Sequence, residues 1–202
     1  MGALLAACAG PPPKPGVEFS IVQNGRAAGP ALGANGAMVY SLRRGEPFTI
    51  LVPKPTPDRT GGSGHLAPIR ICASADPGIF SGIGTGRSIG TLQCLNGATA
   101  MAGSASDSPR GVDLLVSKGD AHNAFDERNS VMGLHHTAIN VRQIVDFEVI
   151  GKRCYGNTCL DKTRGIPFTA PALHLVVFSN ANGNGTVDAG EYILVTLRLE
   201  GA

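Results

Sequence analysis

A chain of 202 residues fits one domain of ordinary size, or a domain with a small appendage. Its hydrophobic fraction of 43% can fill a real core, whereas 16% charged residues and a formal charge of +2 lack the basic footprint of a nucleic-acid binder. With 28 Gly, 14 Pro and no Trp, the composition favours many short strands joined by turns over long helices.

The chain opens with MGALLAACAGPPPKPG. Leu5-Ala6-Ala7-Cys8 resembles the lipobox of bacterial lipoproteins, in which small residues precede a Cys that is acylated and becomes the new N-terminus. The resemblance implies a lipid anchor at Cys8, and Ala9 in place of an acidic residue is compatible with sorting to a Gram-negative outer membrane. Seven uncharged residues before Cys8 are fewer than a signal peptide's charged and apolar regions need, which suggests a start further upstream. The other reading is an apolar tail with an incidental Cys. The Pro-rich AGPPPKPG that follows favours an extended path of roughly 3 Å per residue, a tether that would lift a domain off a membrane. No later segment approaches the ~18 consecutive apolar residues of a spanning helix, so membrane attachment is expected from this end, through several acyl chains. The expected organisation is a lipobox-like segment and tether over residues 1–16 and one domain over 17–202.

Apolar runs of strand length then follow one another with hardly any helical periodicity. They are VEFSIV (17–22), AMVYSL (37–42), PFTILV (47–52), IRICAS (69–74), GTLQCL (90–95), VDLLVS (112–117), AINVRQIVDFEVI (138–150), ALHLVVFS (172–179) and EYILVTLRLE (191–200). In the longest, strand alternation puts Ile139, Val141, Val145, Phe147 and Val149 on one face, opposite Asn140, Arg142, Asp146 and Glu148. In the last, Ile193, Val195, Leu197 and Leu199 oppose Tyr192, Thr196 and Arg198. About nine strands with few or no helices predict an all-β fold, an antiparallel β-sandwich. The phrase LRRGEPFTILV resembles the entry strand of immunoglobulin-like exported modules.

Two connections between these runs are long. Residues 53–67, PKPTPDRTGGSGHLA, read as a mobile loop. Residues 118–137 form a polar insert with one helical turn expected around Ala124 to Arg128, and its His122, Asp126, Glu127, His135 and His136 are candidates for a partner-facing loop or an acid–base or metal cluster.

Five Cys are present. Setting Cys8 aside leaves Cys72, Cys94, Cys154 and Cys159, an even number that can pair completely. Proximity suggests Cys72 with Cys94 and Cys154 with Cys159 across CYGNTC, although four Cys allow three connectivities. Disulfides imply an exported, oxidising compartment. The rival reading is a partial metal site built on C-x4-C with His174, but the chain lacks a second ligand pair at zinc spacing.

Between the last two strands lies SNANGNGTVDAGE, residues 179–191. A twelve-residue calcium loop places oxygen ligands at positions 1, 3, 5, 7, 9 and 12 with Gly at 6. With Asn180 at position 1, these are Asn180, Asn182, Asn184, the Thr186 carbonyl, Asp188 and Glu191, with Gly185 at the turn and Val187 at the apolar eighth position. Asp188 and Glu191 are the only carboxylates, so affinity is expected in the ~10⁻⁴ to 10⁻³ M range. Strands rather than helices flank the loop, and NGNGTVDAGEYILVTLRL resembles a turn before a strand in bacterial cell-surface β-sandwich modules, many of which hold calcium. The resemblance covers about twenty residues and implies a structural Ca²⁺. The alternative is a polar hairpin turn in which Asn and Gly supply positive φ.

GRSIG (86–90) matches G-x-S-x-G, but that nucleophile elbow joins a strand to a helix, and Ser88 lies in a Gly-rich stretch of an all-β pattern. No catalytic constellation emerges, and the chain reads as a non-enzyme. The favoured expectation is a non-catalytic, lipid-anchored β-sandwich on the periplasmic or cell-surface face of a bacterial membrane, held by acylated Cys8 and serving as a structural or adaptor subunit for protein partners. The alternative is an exported, calcium-assisted carbohydrate-binding or adhesion module, whose weakness is the missing Trp and the scarcity of Tyr.

Overall fold

The computed structural model describes residues 19–51, 69–92, 112–117, 122–126, 138–156, 158–179 and 182–201. Twelve strands are described, in the order β1 (Ser20–Gln23), β2 (Arg26–Ala28), β3 (Ala31–Leu32), β4 (Met38–Arg43), β5 (Phe48–Leu51), β6 (Ile69–Ser74), β7 (Val112–Ser117), β8 (His122–Asp126), β9 (Ala138–Tyr155), β10 (Thr158–Pro167), β11 (Ala172–Ser179) and β12 (Tyr192–Glu200). They form an all-β sandwich. Hydrogen bonding links the strands β2-β1-β5-β9-β7-β6-β11-β12-β4-β3, with β10 added to β9 and β8 to β6.

The linked strands wrap round one core. Ile21, Tyr40, Ile50, Ile71, Leu114, Val116, Leu173, Leu175, Val177, Val195 and Leu197 point into it and are almost wholly buried. Wrapping brings the ends of the path together. The Tyr40 hydroxyl of β4 donates to the carbonyl of Phe19, just before β1, at 3.1 Å, and the Gln23 amide reaches across to the backbone of Arg43. Burial at this seam raises the pKa of Tyr40 above its ordinary value.

A second, smaller core lies on the outer face of β6, β11 and β12. There Cys72, Val176, Phe178 and Val187 are covered by Leu92 and by Ile79, Phe80, Ile83 and Ile89 of the segment that follows β6. This makes β11 a central strand buried on both faces, which explains why ALHLVVFS reads as a nearly continuous apolar run.

Registers define two ends of the sandwich. In β1, Ser20 lies opposite Leu51 and Gln23 opposite Phe48, while Phe48 in turn lies opposite Val141 of β9. Since β9 runs on from Val141 to Tyr155, the chain enters β1 at the end remote from Tyr155. β12 runs parallel to β4, with Glu200 beside Arg43, so Tyr192 and the loop before it also lie at that remote end.

Several expectations are corrected. The sheet is mixed: β12 with β4, β6 with β7 and β7 with β9 are parallel, because chain segments that cross over return strands in the same direction. Twelve strands are found among the described residues where about nine were read. Residues 90–92 of GTLQCL do not form a strand, since Ile89–Thr91 is a short 3₁₀ turn. Where a helical turn was expected around Ala124 to Arg128, residues 124–126 belong instead to strand β8, whose backbone pairs with β6, and 127–128 lie outside the described residues. In β9 the register against β7 shifts between Val112 and Asp113, so Arg142 is an extra residue and the inward face changes. Arg142 and Gln143 are both exposed, Ile144 packs against the core, and Val149 is 55% exposed instead of sharing the face of Val141. The β12 alternation holds as read, with Ile193, Val195 and Leu197 buried.

Candidate functional site: a stapled arm and a polar loop at opposite ends

β9 pairs with β5 through Val141 and with β7 through Phe147. Beyond that point, among the described residues, it pairs only with β10, and the two strands leave the sandwich as an arm running to Tyr155 and Thr158. The turn uses Gly156 at φ +60°, a conformation that side-chain-bearing residues resist. Cys154 and Cys159 face each other across the strands and form a disulfide, Cα to Cα 4.0 Å, as the CYGNTC spacing suggested. A disulfide near the tip is what a two-stranded ribbon with no core of its own requires, because such hairpins are marginal in water.

The arm carries most of the large apolar surface left open. Among the described residues the exposed large hydrophobics are Leu32 and four on the arm, Val149, Ile150, Tyr155 and Leu160. Register and alternation put Arg153, Tyr155, Leu160 and Lys162 on one face, with the Arg153 guanidinium 5.0 Å from the centre of the Tyr155 ring. The disulfide and Lys152 occupy the other. Residues 148–164 hold four basic residues (Lys152, Arg153, Lys162 and Arg164) and two acidic ones (Glu148 and Asp161). Arg164 is ion-paired with Glu148.

At the base of the arm, β9 changes partner from Phe48 of β5, opposite Val141, to Pro167 of β10, opposite Val145. The separation opens a cleft of about 830 Å³ whose apolar side is Leu42, Phe48 and Phe168 and whose polar side includes Arg43, Arg44 and Arg142. Arg44 donates through Nη1 to the carbonyl of Phe168 and through Nη2 to that of Ala170, both at 2.8 Å. Arg142 grips Asp113 through Nε at 2.9 Å and Nη2 at 2.6 Å. These hydrogen bonds hold the Asp113 carboxyl below the usual carboxylate range.

At the remote end the polar loop closes on itself. Asp188 Oδ2 accepts from Nδ2 of Asn182 at 2.6 Å and from Nδ2 of Asn184 at 2.7 Å, while the Oδ1 atoms of those amides accept the backbone N–H of Asn184 and Thr186. Glu191 is only 7% exposed, and its carboxylate accepts the Asp188 N–H at 3.0 Å. Gly185, at the turn position, has φ +75°. The side chains at the third, fifth and ninth positions therefore converge, with the Asn182 and Asn184 amide nitrogens turned towards Asp188 and their oxygens towards backbone N–H groups. Among the described residues no three His, Cys, Asp or Glu side chains gather into a metal-binding group. Val187 anchors the loop in the second core, and the loop pairs with the chain at Gly86 to Ile89 through three backbone hydrogen bonds and the Ser88–Thr186 bridge.

Ser88 thus sits in a loop clamped to another loop, with no strand-to-helix elbow around it. His174 is a sheet residue as expected: its ring meets Thr196 Oγ1 at 3.1 Å and the Phe80 ring edge-on at 5.4 Å. Burial lowers its pKa, and the nearby Asp76 only partly opposes this. Cys72 is disulfide-bonded. Cys8, Cys94, Asn180, Glu127, His135 and His136 lie outside the described residues, and His122 and Asp126 are described only as backbone of β8. The arm itself was missed as a site, because TCLDKTRGIP mixes charges with Gly and Pro and lacks strand alternation. The available signal was the five-residue Cys spacing following a long β pattern.

Comparison with protein-family models, with curated proteins and with solved structures returned no match.

Proposed function

We propose that the chain is a non-catalytic β-sandwich, tethered to a bacterial envelope membrane through acylated Cys8, that serves as a structural or adaptor subunit of a larger assembly. The observation carrying this reading is the arm: a disulfide-stapled ribbon with Val149, Ile150, Tyr155 and Leu160 exposed, at the end of the sandwich opposite the entry of the N-terminal chain. A tether at that N-terminus points the arm away from the anchoring membrane and towards partners. Exposed apolar side chains rimmed by charge are the usual mark of a docking surface. The immunoglobulin-like module and the oxidising compartment belong to the same reading, the latter favoured by the disulfides.

Calcium in this reading is structural, held by Asn180, Asn182, Asn184, Thr186, Asp188 and Glu191 at the remote end, where it fixes the β11–β12 connection. The carbohydrate-binding alternative is less favoured, since Tyr155 is the one aromatic among the exposed large hydrophobics described and Arg153 lies over its ring. The test is mass spectrometry of the mature N-terminus together with fractionation of wild type and Cys8→Ser. Acylated Cys8, and release of the variant from membranes, are expected; an unmodified Cys8 with unchanged fractionation would sink the anchored reading.

A further inference from the structure

We infer that the β10 edge of the arm is a docking site for an extended acidic segment of a partner protein, added as one more strand. The inference rests on the adaptor reading and specifies its partner. Three observations carry it.

The first is an open edge. β10 is ten residues long and, among the described residues, pairs with β9 alone, so its other side has no described strand partner. Native sheets blunt such edges with short strands or covering loops, and a long open edge is a template for a further strand. Pro167 guards the base of β10 and a register shift interrupts it between Lys162 and Thr163, which leaves residues 158–162 as the regular stretch of the edge.

The second is charge and apolar pattern. An added strand would align its side chains with the face formed by Arg153, Tyr155, Leu160 and Lys162 and with Lys152 on the opposite face. With Arg164 engaged by Glu148 and Lys152 in register with Asp161, the cations left to meet a newcomer are Arg153 and Lys162, on the Tyr155 face. Complementarity therefore calls for a strand that alternates acidic residues with apolar ones. A basic segment would meet Arg153 and Lys162 as like charges on that face.

The third is the cleft. β5 and β10 share one side of β9, so a strand added outside β10 runs in line with β1 and is directed at the β4–β5 turn. There the cleft of about 830 Å³ offers Arg44 beside apolar Phe48 and Phe168, while Arg43 is ion-paired with Glu46. Arg44 is held in place by the carbonyls of Phe168 and Ala170, so it is preorganised to meet a carboxylate at the end of the added strand.

The test uses the full chain and two synthetic ten-residue probes, one alternating Glu with Val and one alternating Lys with Val. Binding is followed by fluorescence anisotropy, and backbone protection by hydrogen exchange. The Glu–Val probe is expected to bind at least tenfold tighter than the Lys–Val probe and to slow exchange of amides in 158–164. Combined Arg153→Glu and Lys162→Glu is expected to weaken it at least tenfold while leaving thermal unfolding unchanged. Equal binding of the two probes, or binding with no protection of β10, overturns the proposal. So does self-association through β10 in sedimentation, or preference of the wild-type arm for anionic vesicles over the Glu–Val probe. Failure of the probes with continued retention of envelope proteins by the wild-type arm would remove strand addition and leave the adaptor reading standing.

Discussion

β11 and the β9–β10 arm are made of the same element and sit at opposite extremes of burial. β11 is covered on both faces: Leu173, Leu175 and Val177 face the main core and Val176 and Phe178 the smaller one. The outer part of β9 is exposed on both faces, and its shape is held by one partner strand and a disulfide. Stability in this molecule is concentrated where sheet faces are buried, and the arm draws on covalent linkage in place of packing. Surface that would otherwise serve folding is thereby left exposed.

Substitutions on either side of this contrast should differ by an order of magnitude in cost. The largest effect is expected for Leu175→Ala, which empties a fully buried site at the centre of β11 and should cost about 2–5 kcal/mol in denaturant unfolding. A cost near zero would show that β11 is not the mechanical centre. Next is calcium at the remote end: about 10 mM should stabilise wild type by about 1.5–3 kcal/mol, given the weak affinity expected of the loop. Asp188→Asn should abolish most of that gain, and an equal response of both proteins would assign the ion elsewhere.

The Cys154→Ser, Cys159→Ser pair opens only a short loop and should lower global stability by about 2 kcal/mol or less, by the chain-entropy account. Its distinctive readout is local, with exchange accelerating in 149–155 while β11 stays protected. Uniform acceleration through β11 would join the two regions that the contrast separates.

His174 supplies a smaller, pH-dependent effect. Its folded pKa is lowered, so the unfolded chain takes up the proton first as pH falls below the ordinary value of about 6.5. The contribution of the neutral ring is fully present above that pH and is lost on acidification towards the folded pKa. His174→Gln should therefore flatten the decline in melting temperature between about pH 7 and pH 5; an unchanged slope would place the titration at another group. Smallest of all is Leu160→Thr on the arm, expected to move stability by no more than about 0.5 kcal/mol.

The same contrast explains what could be read from the sequence. β6, β7 and β11 fall on the residues read, and β12 begins one residue later, because apolar runs report burial and these strands are buried. β10 has no such run, since pairing with β9 and a disulfide hold it. β8 looked helical by local composition, and its strand form comes from pairing with β6. The Asn24-Gly25 turn, with φ +54° and +71°, joins β1 to β2 by an Asn-Gly hairpin signal, yet the strands it joins are too short to show a pattern. The extra residue at Arg142 could not be read from alternation, because a bulge is visible only against its partner strand. For the polar loop, ligand spacing pointed to the convergence around Asp188, while its attachment to Gly86–Ile89 required the tertiary fold.

The central claim is that the arm holds the partner surface. It is tested most directly by purifying wild type and a variant carrying Arg153→Glu, Leu160→Thr and Lys162→Glu side by side from native membranes in mild detergent. The account predicts that a defined set of envelope proteins stays with wild type and is lost from the variant, with both melting at the same temperature. A wild-type protein that comes off alone, or a variant that keeps the same partners, would contradict it.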